Sequence, residues 1–184
     1  NLGLNYMELG QVDDAIKSYE KALAVNPDHA EAHNNVGIAY AHNNLGIAIH
    51  GLGQMDAAVK CYKNALAIKP DYADAYANRA NVLKDLNRPE EALKSYESAI
   101  SLNPDLDYIS GDSLHTKMNL CIWDDLANNL IELTNKINNS KKIISPFPLL
   151  ALIDDPEIQR KTAEIFTNEK HPQSNTLPKI SRYP

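Results

Sequence analysis

The sequence predicts an all-α fold, a superhelical solenoid of stacked helical hairpins that ends in a helical linker. Three observations predict it. A nine-residue frame, Ala-x3-Tyr-x2-Ala-Leu/Ile, recurs from Ala15 to Leu23, from Ala58 to Leu66 and from Ala92 to Ile100, and each copy closes on a proline, Pro27, Pro70 or Pro104. A second helical stretch precedes each copy, marked by Leu2-Gly3 with Tyr6, Leu45-Gly46 with Ile49, and Arg79-Ala80 with Leu83. Pro70 and Pro104 stand 34 residues apart, a spacing in the range of helical repeat units.

The residue types have physical reasons. Small residues at Gly46, Ala58, Ala65, Ala80, Ala92 and Ala99 let two helices approach closely, and Tyr19, Tyr62 and Tyr96 fill the space between hairpins. Each closing proline lacks a backbone N–H and ends its helix. The following Asp28, Asp71 or Asp105 is placed to cap the next helix, and Asp28 with Glu31 reads as a capping pair. One hairpin cannot bury its apolar face alone, so stacking supplies the core.

Pro27 and Pro70 are 43 residues apart, nine more than one period. The excess is a tandem copy: His33-Asn34-Asn35-Val36-Gly37-Ile38-Ala39 is followed by His42-Asn43-Asn44-Leu45-Gly46-Ile47-Ala48. Nine residues at about 100° each turn through about two and a half turns, so in one unbroken helix the copies face opposite ways. The later copy is expected to pack, because it joins the next helix with ordinary spacing through Gly51-Leu52-Gly53-Gln54.

Beyond Pro104 the frame decays. Residues 105 to 121 and 123 to 139 read as a helical pair, with Leu114, Met118, Leu126, Leu130, Leu133 and Ile137 at helical spacing. Cys121 and Trp123 are expected to be packed inside it. Asn138-Asn139-Ser140-Lys141-Lys142 is a polar break, and Ser145-Pro146-Phe147-Pro148-Leu149-Leu150 is expected to be extended or a short turn. Asp155-Pro156-Glu157 starts a last helix that runs to about Lys170, and a tail with three prolines follows. The chain thus divides into repeats at 1–104, a repeat-like helical pair at 105–140, and a linker at 141–184.

These frames resemble the tetratricopeptide repeat, which implies a right-handed superhelix with the first helix of each hairpin lining a concave groove. Two further stretches are more specific. Leu106-Asp107-Tyr108-Ile109-Ser110-Gly111-Asp112-Ser113-Leu114-His115-Thr116-Lys117-Met118 with Cys121-Ile122-Trp123-Asp124-Asp125, and Pro146-Phe147-Pro148-Leu149-Leu150-Ala151-Leu152-Ile153-Asp154-Asp155-Pro156, resemble the region that joins repeats to catalytic part in family 41 glycosyltransferases. Those are the protein O-GlcNAc transferases and their SPINDLY-like relatives. The resemblance implies a parent enzyme that moves a sugar from a UDP-sugar to Ser or Thr of a protein. The family's catalytic residues lie after Pro184, so none is carried over, and this stretch by itself is expected not to be an enzyme. The alternative is a stand-alone adaptor unrelated to glycosyl transfer.

Composition bounds the partners. A net charge of −6 disfavours a nucleic-acid grip. No apolar run approaches the roughly 20 residues that span a bilayer. Cys61 and Cys121 form neither a CxxC pair nor a disulfide framework, which suits a reducing, cytoplasmic setting. No dinucleotide loop, P-loop or HExxH helix is present, and His29 with His33 lacks a third ligand, so no catalytic residue, metal or cofactor is expected. A polypeptide partner is expected instead. Asn1, Asn35, Asn44 and Asn78 each sit just before the Leu-Gly-type position of a hairpin's first helix. In the resembled family that slot faces the groove, and an amide offers donors and an acceptor to a peptide main chain. The third repeat carries Asp74 and Asn78 where a clamp for a C-terminal carboxylate needs Lys and Arg. The start of the array lacks a polar cap, which makes self-association there a further expectation.

Overall fold

A computed structural model describes residues 32–171, with side chains from residue 37 onward, and isolated positions at residues 14, 16–18 and 21. Tyr19, the Asp28–Glu31 pair and the tail from residue 172 lie outside the described residues. Among the described residues the fold is all-α, with eight helices and no strand. They are α1 Ala32–Gly51, α2 Met55–Ile68, α3 Ala73–Asp85, α4 Pro89–Leu102, α5 Ile109–Asn119, α6 Leu126–Asn138, α7 Pro146–Leu150 and α8 Pro156–Lys170. No helix among them is long and apolar enough to cross a membrane.

Two hairpins, α1–α2 and α3–α4, stack into the first part of a solenoid. α1 takes up both tandem copies in one unbroken helix of 20 residues. The later copy is the packed one. Asn43, Leu45 and Ala48 are buried, and a Cβ placed on Gly46 meets the Tyr62 ring at 2.7 Å. Gly37, the same residue of the earlier copy, is exposed, with nothing among the described residues within 4 Å of where its Cβ would stand. Gly53 closes the α1–α2 turn at a φ of +76°, a conformation that glycine adopts without a Cβ penalty.

Tyr62 and Tyr96 are 1% and 0% exposed and centre a core with Ala58, Ala80, Ala92 and Ala99. The Tyr96 hydroxyl donates to Asn81 Oδ1 at 2.7 Å, which satisfies its one polar atom inside that core. α2 and α4 end just before Pro70 and Pro104, as the missing N–H requires. Of the expected aspartate caps, those at Asp71 and Asp105 are absent. α3 starts after Tyr72 with no side-chain cap, and Asp71 instead pairs with Lys69 Nζ at 2.7 Å. Asp105 lies 3.8 Å from Lys141, and α5 starts only at Ile109.

The second core joins α5, α6, α7 and α8 through Leu114, Leu133, Ile137, Ile143, Ile144, Leu149 and Ile158. α5 and α6 do not close on each other as the two upstream hairpins do. The segment between α6 and α7 enters between them. The Tyr108 and Gly111 N–H groups donate to the carbonyls of Lys142 (2.6 Å) and Ile143 (3.0 Å), so this strap satisfies the open first turn of α5. Gly111 admits it, since a Cβ there would stand 2.4 Å from Ile144 Cβ.

Cys121 and Trp123 are exposed, contrary to expectation, whereas Cys61 is buried. Cys121 takes a left-handed φ of 57° and ends α5 through N–H bonds from Cys121 to Met118 O and from Ile122 to Lys117 O. That cap turns the chain outward before Trp123. The segment expected as extended or a short turn is the one-turn helix α7. Pro146 and Pro148 both fall in its first turn, where the missing N–H groups have no intrahelical partner to lose. α8 begins and ends where the sequence places it, with Asp155 Oδ1 accepting from the N–H of Glu157 and of Ile158.

A candidate peptide-binding groove

The first helices of successive units, α1, α3 and α5, are linked along one side of the molecule by side-chain bonds. Asn78 Nδ2 donates to Asn43 Oδ1 at 3.0 Å, and Asn43 Nδ2 approaches Asn44 Oδ1 at 3.5 Å. Farther along, His50 Nε2 lies 3.0 Å from Asp85 Oδ2, and Lys84 Nζ donates to Asp112 Oδ1 at 3.2 Å. Together they span α1 to α3 and α3 to α5, which fixes how each helix sits on the next.

Of the four asparagines expected to line the groove, Asn44 and Asn78 are half-buried and brought together through Asn43. Asn35 belongs to α1, but its side chain, like Asn1, lies outside the described residues. Asn43 was missed. It is 3% exposed and its amide joins the other two. The only signal was its place beside Asn44, because repeat equivalence pairs Asn78 with Asn44 and not with Asn43. One N–H of Asn78 and the oxygen of Asn44 are engaged, and the Asn78 oxygen and the Asn44 amide hydrogens make no bond among the described residues.

Beside Asn78 a cleft of about 430 Å³ opens between α3 and the start of α5. Asp74, Asp105 and Asp107 line it together with Asn78 and Asn81. Asp105 and Asp107 face Lys141 and Lys142 at 3.8 and 3.6 Å, while Asp74 makes no ion pair among the described residues. Burial, then the charges of Asp74 and Tyr40, push the neighbouring Tyr72 phenol up to about 12. Burial holds His42, the neighbour of Asn43 on α1, below its ordinary value, and its Nδ1 has no partner among the described residues. Among the described residues no cluster of three metal-ligating side chains occurs.

The geometry is that of known repeat proteins. The first TPR domain of Spaghetti (RPAP3), bound to the HSP90 peptide SRMEEVD, is 24% identical over 65% of this chain and 87% of its own, with a TM-score of 0.57. A MamA protein is 20% identical over 96% of this chain and 76% of its own, with a TM-score of 0.58. A mutant O-GlcNAc transferase from Thermobaculum terrenum is 19% identical over 76% of this chain, with a TM-score of 0.62, and the match spans 25% of that enzyme. At these identities the likeness concerns the fold. No curated protein matches the chain. The model described as TPR repeat matches residues 3–44 and 48–87, and that of the tetratricopeptide repeat matches residues 73–106. Together they cover more than half of the chain, which therefore belongs to the tetratricopeptide repeat family.

Proposed function

We propose that the side of the molecule lined by α1, α3 and the start of α5 holds an extended polypeptide by its main chain. The observation that carries this reading is the linked set Asn44–Asn43–Asn78, which leaves amide donors and an acceptor on an otherwise packed surface. Main-chain recognition of this kind is indifferent to side chains, so charge sets the preference. Asp74, Asp105 and Asp107 stand beside Asn78 and oppose an acidic segment such as the peptide on RPAP3. Asn1 and Asn35 extend the same ladder in this reading.

Fluorescence polarisation with labelled peptides tests it. Asn44→Ala is the cleaner variant, because Asn78→Ala also strips the partner from buried Asn43. Losing one or two amide bonds of about 1 kcal/mol each weakens binding roughly five- to thirtyfold with helicity unchanged. Undiminished affinity in Asn44→Ala, or SRMEEVD binding more tightly than a neutral peptide, refutes the reading.

The chain then serves as a recruiting arm, and the stretches at 106–125 and 146–156 support a family 41 glycosyltransferase as the parent, acting in the cytoplasm on protein Ser or Thr. A stand-alone adaptor is favoured by one observation, the match to MamA over nearly the whole chain. The reading frame beyond Pro184 separates the two. In either case the repeats are non-catalytic, and the chain alone is expected neither to bind nor to hydrolyse a UDP-sugar.

A further inference from the structure

α6 packs one side against the second core and turns an apolar side outward. Leu130, Leu133 and Ile137 belong to that core, while Ile131 is 61% exposed. Its neighbours on the outer side, Ala127, Asn128 and Asn135, are exposed and carry no charge. A helix face turned to water ordinarily carries charged side chains. Opposite Ile131, Leu152 and Ile153 close a cleft of about 320 Å³ against Leu130, Thr134 and Asn135. The apolar surface continues onto α7, where Phe147 and Leu150 stand three residues apart and so share a face, 82% and 59% exposed. Adjacent large apolar side chains this exposed mark a surface that meets another molecule.

Two properties choose the occupant. The first is charge. Asp154 directly follows Ile153, and Asp124 and Asp125 lead into α6. All three are exposed and make no ion pair among the described residues. The nearby cations are engaged: Lys136 by Glu132 at 2.8 Å, Arg160 by Glu164 at 2.5 Å, and Lys161 by the Asn138 carbonyl at 2.8 Å. The flanks of the cleft therefore attract a basic partner. They oppose a second copy of the same face, which would set these carboxylates against each other. The second property is the state of the main chain. The N–H groups of Leu152 and Ile153 are both spent on the Leu149 carbonyl, and the described residues offer no strand edge to extend. A partner meets side chains only, which suits an apolar helix stripe laid into the cleft.

We propose that the outer face of α6 and α7 docks an amphipathic helix of a partner protein, its aliphatic stripe against Ile131 and Ile153 and its flanking lysines or arginines toward Asp124, Asp125 and Asp154. This surface is separate from the asparagine-lined groove and stands whether or not that groove holds peptide.

Titrating the ¹⁵N-labelled chain with three synthetic helices, followed by amide chemical shifts, tests the assignment. The first has leucines at i, i+3, i+4 and i+7 and lysines elsewhere, the second replaces its lysines by glutamate, and the third replaces its leucines by serine. Saturable shifts at Ile131, Asn135 and Ile153 are expected with the first, and binding weaker by about tenfold or more with each of the others. Ile131→Asp, at an exposed position, is expected to weaken the first helix by about tenfold or more with helicity retained. Asp154→Asn is expected to weaken it roughly twofold to fivefold. Equal binding of the serine helix reduces the attraction to charge and overturns the proposal, as does equal binding of the glutamate helix. Shifts confined to the cleft beside Asn78 overturn it too. Sedimentation that shows self-association, lost in Ile131→Asp, assigns the face to a second copy instead. Shifts at Ile131 and Ile153 in the peptide-free chain on Ile180→Asp assign it to the chain's own residues 172–184.

Discussion

The tandem duplication provides a matched experiment within one helix. Gly37 and Gly46 occupy the same place in two copies of nearly the same sequence, yet they face opposite sides of α1. In Gly46→Ala the added methyl meets Tyr62 Cε1 at 2.7 Å, Cζ at 2.9 Å and Cδ1 at 3.1 Å. Carbon atoms pack best at about 3.5–4.0 Å, so the methyl intrudes by close to 1 Å. Tyr62 is 1% exposed and its ring has nowhere to swing. Overpacking of this kind costs about 1–3 kcal/mol. Replacing a helical glycine by alanine returns about 1 kcal/mol, which leaves a net loss of about 1–2 kcal/mol at the tighter end of that range. In Gly37→Ala nothing among the described residues lies within 4 Å of the new methyl. Only the propensity gain remains there, a stabilisation of about 0.5–1 kcal/mol. The two variants therefore differ by about 2 kcal/mol, roughly thirtyfold in the folding constant, from the same chemical change. Urea denaturation followed by far-ultraviolet circular dichroism measures it, with an unchanged slope confirming that stability has moved and not the denatured state. Equal responses of the two glycines, or a greater loss at Gly37, would refute the account of which copy packs.

Two more predictions concern stability. Gly111→Ala brings a methyl 2.4 Å from Ile144 Cβ and 2.8 Å from the Ile143 carbonyl oxygen. That carbonyl accepts the N–H of Gly111 itself, so the strap cannot retreat without losing the bond. The expected loss in denaturation experiments is about 2–3 kcal/mol, and a neutral outcome would contradict the strap's placement. Lowering the pH from about 7.5 to about 5.5 is expected to weaken the fold through His42. Burial holds its folded value below the ordinary 6.5, so in that window the unfolded chain binds the extra proton and the folded one does not. His42→Gln is expected to flatten this dependence, and an undiminished slope in the variant would assign it elsewhere.

The hairpins were legible because their signals are local. Alanine, glycine and tyrosine at fixed offsets state which faces touch, and Gly46 against Tyr62 is that statement in coordinates. Asp155 followed by Pro156 marks a helix start by chain chemistry alone. What failed depends on contacts between elements distant in sequence. Repeat equivalence aligns Asn78 with Asn44, 34 residues earlier, but α3 sits on α1 so that Asn78 reaches Asn43, 35 residues earlier. The same shift joins Asp85 to His50. No single-repeat pattern encodes that step, and it decides which amide is used up and which is free. Cys121 and Asp125 adopt left-handed backbone without the glycine or asparagine that usually advertises it, so the outward turn carrying Trp123 was invisible.

The strap explains why hairpin stacking stops where it does. α5 occupies the place of the next first helix on α4, and a regular second helix would then close over Gly111 as α2 closes over Gly46. Ile143 and Ile144 occupy that place instead, and α6 is displaced onto the second core. A solenoid needs its last apolar face covered, and here the covering is done by chain that returns from beyond α6. α8 completes it. The Tyr108 hydroxyl donates to Glu169, Phe166 meets the Tyr108 ring edge-on, and Lys142 bridges Glu169 and Asp107 at 3.6 Å each. Burial, and then Glu169, push the Tyr108 phenol above its ordinary value, so it remains a donor throughout the neutral range. Lys141 and Lys142 hold Asp105 and Asp107, which are also the acidic lining beside Asn78. The charge at that end of the groove is thus set by residues outside the repeats. A change in α8 or the strap alters what the asparagine ladder faces without touching the ladder itself.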